Sequence, residues 1–193
     1  MKRQFYSEQQ LKCITKSLKK KLNNKRYVHS LGVSQTAIAL AMCYGEDLEH
    51  AQIAGLLHDC AKCLSNKKLL KESKIANIEI DMIQIENPFL LHGPLGSYYA
   101  HATYHISNED VLNAIYHHTL GRSNMTVLEK IIYVADYIEP NREKLKDLYE
   151  LRQMAFQDLD KTVYQIAVNS IEHLQKQNKT IHKKSYEIIE AYS

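Results

Sequence analysis

Residues 55 to 62 read GLLHDCAK, an apolar helical run that ends in His58 and Asp59 side by side. Other polar groups stand in equally apolar places. His29 lies between Val28 and Leu31 near the buried side of a second helical stretch, His92 sits in a Gly/Pro turn, His118 follows an apolar stretch, and Asp136 lies in the run IIYVAD. An unpaired buried carboxylate is costly or takes up a proton. Four imidazoles and two carboxylates on separate apolar helices are reconciled if they converge on cations. Neutral His and ionised Asp are ligands of first-row divalent metals, and one carboxylate has two oxygens with which to bridge a pair. A single buried histidine is more often a hydrogen-bonded core residue, and a lone His-Asp pair is common by chance. The ordered set of six, rather than any member, points to a metal centre.

Cations near these residues suit phosphate. Arg26 lies one helical turn before His29, Lys62 one turn beyond the His-Asp pair, and Arg142 six residues after Asp136. Arg clamps a phosphate through two parallel hydrogen bonds, and Lys acts as a point charge. Ordinary surface cations are the competing reading, chiefly for Lys62. A Gly-rich phosphate loop of the kinase or dehydrogenase kind is missing. His117 points about 100° away from its neighbour His118 on a helix. His101 and His105 are four apart, but Ala102 stands where a zincin carries its general-base Glu, so the pair reads as structural. Cys60-Ala-Lys-Cys63 has CxxC spacing without a second CxxC or a preceding strand pattern.

The elements that must position these groups are helical. Ser7 with Gln10 opens a first helix, Asn23 or Asn24 caps a second that stops at Gly45, Asp47 caps a third running to His58, and Ser65 opens a fourth. Residues 80 to 96 turn at Asn87-Pro88 and His92-Gly93-Pro94. Helices then run from about Gly96 to His105, from Asn108 to His117, and from Thr126 until Pro140 ends the last of them. Leu159, Val163, Ile166, Ser170 and Leu174 mark a long amphipathic helix, and HKKSYEIIEAY a final one.

Bulk composition agrees. The chain has 193 residues, 45% hydrophobic and 24% charged, with only 6 Gly and 3 Pro to supply the turns of an all-β fold. One all-α domain over residues 1–193 is expected, with a core at about 24–142 and C-terminal helices at about 143–193. The N-terminal MKRQFYSEQQLKC has no signal-type apolar region, and no stretch approaches the ~18 apolar residues of a membrane span, so a cytoplasmic protein with reduced cysteines is expected. Net charge is +3, yet residues 1 to 26 hold nine Lys or Arg against Glu8 alone. Such a basic entry could attract a polyanion, but Leu11, Ile14, Leu18 and Leu22 form a core stripe that leaves the lysines as a solvated face.

The segments RYVHSLGV, GLLHDCAK, LLHGPLG, AIYHHTLG and KIIYVADYIEPNR occur in an order that resembles the HD-domain phosphohydrolases, most closely the bacterial YqeK type. The resemblance implies an HD-domain helical bundle that hydrolyses diadenosine tetraphosphate symmetrically to two ADP, with iron in the site. It implies metal ligands at His29, His58, Asp59, His92, His118 and Asp136. Asp59 would bridge two ions, with His29, His58 and Asp136 around one and His92 and His118 around the other. Asp59 and Lys62 are the implied catalytic residues, and Arg26, Asp59, Arg142 and His182 the implied nucleotide contacts, His182 through the short match Thr180-Ile181-His182. The family's His-Thr-Thr-Gly is here His118-Thr119-Leu120-Gly121, which removes the second hydroxyl.

A divalent ion lowers the pKa of bound water towards neutrality and a second draws phosphoryl oxygens to the pair, so no nucleophilic side chain is required. Imidazole and carboxylate suit Fe, Mn, Co and Zn alike. Other HD-domain activities on nucleotides and cyclic nucleotides remain open, as does a non-catalytic RNA-binding module. The surplus of amphipathic helices makes a homodimer reasonable.

Overall fold

A computed structural model describes residues 6 to 193; Lys2 and Arg3 of the basic entry segment lie outside the described residues. The chain forms α1 (Glu8–Lys21), α2 (Asn24–Tyr44), α3 (Leu48–Leu57), α4 (Asn66–Ile75), α5 (Met82–Glu86), α6 (His92–Tyr104), α7 (Glu109–His117), α8 (Val127–Ile138), α9 (Leu148–Met154), α10 (Leu159–Lys176) and α11 (Lys183–Tyr192). A 3₁₀ turn, Pro88–Leu91, precedes α6. No strand occurs among the described residues. Among them, no helix is long and apolar enough to cross a membrane.

Side chains flanking the helices set where they begin. Ser7 accepts from the Gln10 N–H, Asn23 from Arg26, Asp47 from Glu49 and His50, and Ser65 from Lys68. Thr126 and Glu129 form a reciprocal capping box at the start of α8. Each satisfies backbone donors that a first turn leaves without partners. Gly45 ends α2 in the left-handed conformation, φ 70°.

Three features depart from the sequence reading. Helix α6 begins at His92, four residues before the expected Gly96, so His92 belongs to a helix and not to a turn. Pro94 is tolerated because it falls in the first turn, where its missing N–H would have no helical acceptor. A short α5, with a capping box between Asp81 and Gln84, occupies part of the expected turn region. Helix α9 fills the segment between Pro140 and Leu159, where no element is expected.

The core forms where α2 packs against α3 and α8, and α7 against α3, α6 and α8. Leu40, Ile53, Leu57, Ile115 and Ile131 are wholly withdrawn from water. Each such side chain contributes about 1.5–3 kcal/mol relative to exposure. Gly55 determines how closely α3 approaches α2, since a Cβ there would lie 2.7 Å from the Ser34 Cα. That crossing brings the end of α3, with His58 and Asp59, against His29 on α2. On α1, Ile14 and Leu18 are buried, as is Leu22 just beyond it, while Leu11 packs partly on the same core. Helix α10 lies on α8 and carries α11.

Candidate metal centre

The structure brings His29, His58, Asp59, His92, His118 and Asp136 together from five helices or their ends. His29 Nε2 lies 2.9 Å from Asp136 Oδ1 and 3.2 Å from His58 Nε2. His92 Nε2 lies 3.0 Å from His118 Nε2. Asp59 stands between these pairs and divides its oxygens. Oδ2 faces His58 at 3.6 Å and His29 at 3.8 Å, and Oδ1 faces His92 at 3.3 Å and His118 at 3.7 Å. Within each of the sets His29-His58-Asp59 and Asp59-His92-His118, the ligand atoms lie within 4.8 Å of one another. A third set, His58-His118-Asp136, crosses between the halves.

The other ring nitrogens reveal what the centre needs. His58 Nδ1–H donates to the Gly55 carbonyl at 2.8 Å, His118 Nδ1–H to Ile115 at 2.7 Å, and His92 Nδ1–H to Phe89. His29 Nδ1–H donates to Glu139 Oε1 at 3.1 Å. Carbonyls and carboxylates only accept, so Nδ1 carries the hydrogen and every Nε2 lone pair faces inward. Lone pairs about 3 Å apart repel unless a positive charge sits between them, either a proton or a metal ion. Two divalent cations satisfy all four imidazoles and both carboxylates at once. The donor set therefore fits a metal pair.

Charge is arranged to keep both acids ionised. Burial pushes Asp59 towards the neutral acid, but in the metal-free centre the protons that His58, His118 and His92 then share with it outweigh burial and hold the carboxyl well below its usual range. Asp136 behaves alike in the metal-free centre: burial is outweighed by a proton on the His29 nitrogen that faces it, by His58 and by Arg142, against opposition from Asp59. Burial, then the Lys62 ammonium, pushes His92 down to about 4, which keeps it neutral as a ligand must be.

The three expected cations lie closer in than a rim. Arg26 Nη1 donates to Asp59 Oδ2 at 2.9 Å, and Arg142 Nη2 to Asp136 Oδ1 at 2.7 Å. Lys62 Nζ donates to His92 Nε2 at 3.0 Å and lies 4.0 Å from Asp59 Oδ1. Each keeps about a third of its side chain in solvent, so each can reach an incoming anion without leaving the centre.

A family model described as HD domain matches residues 26–141, a span that holds all six converging residues. The chain belongs to the HD-domain family. Among its relatives is a symmetrical bis(5'-nucleosyl)-tetraphosphatase of Bacillus subtilis, 39% identical over 90% of each chain. The Staphylococcus aureus protein of the same name is 37% identical over 91% of this chain and 90% of the relative. A solved HD superfamily hydrolase from Clostridium acetobutylicum, described as predicted and as involved in NAD metabolism, has a TM-score of 0.92 at 43% identity, covering 98% of each chain. The likeness to YqeK-type members thus runs along most of this HD-domain chain.

Other polar residues of the HD-domain chain lie elsewhere. His182 caps α11, accepting from the Lys184 N–H and donating from Nε2 to Asp81 Oδ2 at 2.7 Å. It lines a cavity of about 190 Å³ with Leu120, Tyr133, Leu174 and Thr180. Thr119 joins that cavity to the centre, because its hydroxyl lies 3.0 Å from His92 Nε2 and 3.1 Å from His118 Nε2. His101 is tied to the Ile106 carbonyl, and His105 is the left-handed cap of α6. Half-buried His117 lies against the Tyr116 ring, and burial pushes it down to about 4. Cys60 is buried against the Gly96 carbonyl and Cys63 is exposed.

Two participants escape sequence reasoning. Glu139, 1% exposed, orients His29, yet its place before Pro140 reads as a helix stop. Its only signal is the three-residue spacing from Asp136, which puts both acids on one helix face. Thr119 stands beside His118 within the family match, but nothing in its spacing marks the hydroxyl as inward-facing.

Proposed function

We propose that this HD-domain chain is a metal-dependent hydrolase that cleaves diadenosine tetraphosphate symmetrically to two ADP. The observation that carries the reading is Asp59, whose two oxygens are divided between two imidazole pairs with inward lone pairs. Relatives that bear the name of this activity and match along most of the chain support the choice of substrate. His29, His58, Asp59 and Asp136 would hold one divalent cation, and Asp59, His92 and His118 a second, with iron as the native metal. When bound, such a pair supplies Lewis acidity and an activated water for attack on phosphorus.

The chain's own residues do the rest. Arg26, Lys62 and Arg142 balance the negative charge of Asp59, Asp136 and Glu139, so a cation pair leaves the site strongly positive and suited to a polyphosphate. The two arginines take phosphates on either side of the scissile bond and fix its register, an orientation effect on rate. Lys62 carries a depressed pKa: burial lowers it, against Asp59 and Asp136. It donates to a non-bridging or leaving oxygen as charge spreads in the transition state. The cavity beside Thr119 has apolar walls at Leu120, Tyr133 and Leu174 with polar groups at Thr180 and His182, a lining that suits a nucleobase and keeps water from one flank. Holding one nucleoside there places a phosphorus next to the central bridging oxygen at the centre.

Product analysis after limited reaction with Fe²⁺, Mn²⁺ or Co²⁺ tests this. ADP as sole nucleotide product is expected. Equimolar AMP and ATP would move the scissile bond, and no hydrolysis with any of the three metals would remove the assignment.

A further inference from the structure

The turn after α8 carries two side chains into the centre, Glu139 to His29 and Arg142 to Asp136. Pro140 stops the helix there, so the carbonyls of this turn lack helical donors. Arg142 supplies some, its N–H to the Glu139 carbonyl and its Nε to Asp136, and a side chain further outside the matched 26–141 segment supplies others. Arg152, on α9, donates from Nε to the Ile138 carbonyl at 2.8 Å, and from Nη2 to Glu139 at 2.8 Å and Arg142 at 3.1 Å. A rigid planar guanidinium therefore ties three carbonyls across five residues, and its charge faces the negative end of α8.

The carboxylate of Glu139 is confined from the other side. Its Oε2 accepts from both the backbone and side-chain N–H groups of Asn141, each at 2.8 Å, which leaves Oε1 for His29. Gly32 stands on α2 one turn beyond His29 and makes room for it. A Cβ at position 32 would lie 2.3 Å from Glu139 Oε2, inside any permitted contact. Larger residues displace the acid further.

We propose that Arg152 and Gly32 are positioning residues of the metal centre: Arg152 holds the main chain of the turn that carries Glu139, and Gly32 leaves the space its carboxylate occupies, so that this carboxylate fixes the tautomer and ring orientation of His29. Neither touches a ligand. Gly32 acts through Glu139 and Arg152 through the turn that carries both Glu139 and Arg142, which places the short helix α9 in mechanical contact with the half of the centre built on α2 and α8. The inference rests on the reading of His29, His58, Asp59 and Asp136 as a cation site.

The test is Mn²⁺ titration of metal-stripped full-length protein, wild type against Arg152→Gln, Arg152→Lys and Gly32→Ala, with thermal melting of each metal-free form. Partners behind a ligating histidine are worth roughly 10–100-fold in metal affinity, and a loss of up to that size is expected for Arg152→Gln and Gly32→Ala at the Mn²⁺ site that His29, His58, Asp59 and Asp136 would form. Arg152→Lys, which reaches one carbonyl where Arg reaches three, is expected to restore part of it. Glu139→Gln added to Arg152→Gln is expected to cost less than the two single losses together, because part of the Arg152 effect passes through Glu139. Affinities of Arg152→Gln and Gly32→Ala within about twofold of wild type would overturn the proposal, since a merely structural role lowers the metal-free melting point alone. If Arg152→Gln fails to fold, Gly32→Ala decides by itself, because alanine raises helix propensity and leaves α9 untouched. Wild-type protein that takes no Mn²⁺ removes the cation reading and this proposal together; normal wild-type binding with unaffected variants removes this proposal alone.

Discussion

The two halves of the centre share Asp59 and little else. On one side His29, His58 and Asp136 stand on or at the end of the helices that build the core, backed by a buried carboxylate, Glu139, and gripped by Arg26 and Arg142. On the other, His92 and His118 stand at the first turn of α6 and just past the end of α7, backed only by main-chain carbonyls and neighboured by Lys62 and the Thr119 hydroxyl. A cation in the first half meets two carboxylates, whereas one in the second meets a single oxygen of Asp59. On the proposed reading the difference would separate holding from handling: the half with more carboxylate would bind its cation more tightly, and the other faces the cavity proposed for the substrate.

Removing what the halves share should erase the contrast. Asp59→Asn keeps the shape and hydrogen-bonding capacity near Arg26 but deletes the bridging charge. Turnover is expected to fall roughly 10³-fold or more, a loss of about 4 kcal/mol in transition-state stabilisation, with both ions gone and helical content kept. Near wild-type activity with normal metal stoichiometry would defeat the site assignment.

Breaking one half at a time should expose it. Asp136→Asn is expected to abolish the tighter of two Mn²⁺ binding steps, whereas His118→Ala should leave that step intact and lose only the weaker. Both should slow hydrolysis roughly 10–100-fold or more. Equal loss of both steps in the two variants would mean that the halves form one indivisible cluster, as the straddling set His58-His118-Asp136 permits.

How far this contrast is legible in the sequence follows from where each polar group stands. Of the six converging residues, His29, His58, Asp59, His118 and Asp136 are visible because they interrupt or end an apolar helical stretch and His92 because the family match includes its Gly/Pro segment, and the cations because they fall one or two turns away. The helical class and the starts of α1 to α4 follow from caps that act within three residues. What is hidden depends on packing over long distances: Glu139 meets His29 across 110 positions, and nothing local distinguishes it from a helix stop. The start of α6 is misread because Gly93 and Pro94 signal a turn in isolation, yet a proline in a first turn costs nothing. Helix α9 is short and lies between Pro140 and an exposed loop, so its pattern is too brief to stand out. His182 is expected beside the nucleotide from a short match, and the structure seats it as a cap that also lines the cavity.

A smaller change sharpens the contrast from the weaker side. The Lys62 ammonium donates to the His92 lone pair that a second cation requires, so the two compete. Lys62→Met is expected to tighten the weaker Mn²⁺ step by roughly threefold, the effect of relieving about 0.6 kcal/mol of like-charge opposition at a partly solvated site, while turnover falls. Weaker binding of the second ion in this variant would show that Lys62 supports the ligand instead of competing for it.

The smallest expected effect lies outside both halves and tests whether polar contacts beyond the centre matter to its stability. Asp81 accepts from His182 Nε2–H at 2.7 Å and from the α5 backbone. Its slight burial raises its pKa, but the His182 and backbone hydrogen bonds prevail and lower it. A carboxylate whose folded pKa lies below its unfolded value near 3.9 contributes stability above that value, and loses it as pH falls through the folded pKa. His182 Nδ1 accepts from the Lys184 N–H, so Nε2 already holds the hydrogen it donates and the bond needs no added proton at neutral pH. Asp81→Asn is therefore expected to lower stability at pH 7 by less than about 1 kcal/mol, because Asp81 is half in solvent, seen as a slightly lower melting temperature, and the difference is expected to shrink as pH falls below the unfolded value towards the folded pKa. Mn²⁺ affinities should not change, since the contact pins α11 to α5 and touches no ligand. A melting difference that does not shrink at any acid pH would mean that the ionised carboxylate adds no stability through His182. A shifted Mn²⁺ titration would mean that the C-terminal helix reaches the second half of the centre through the cavity at Thr119.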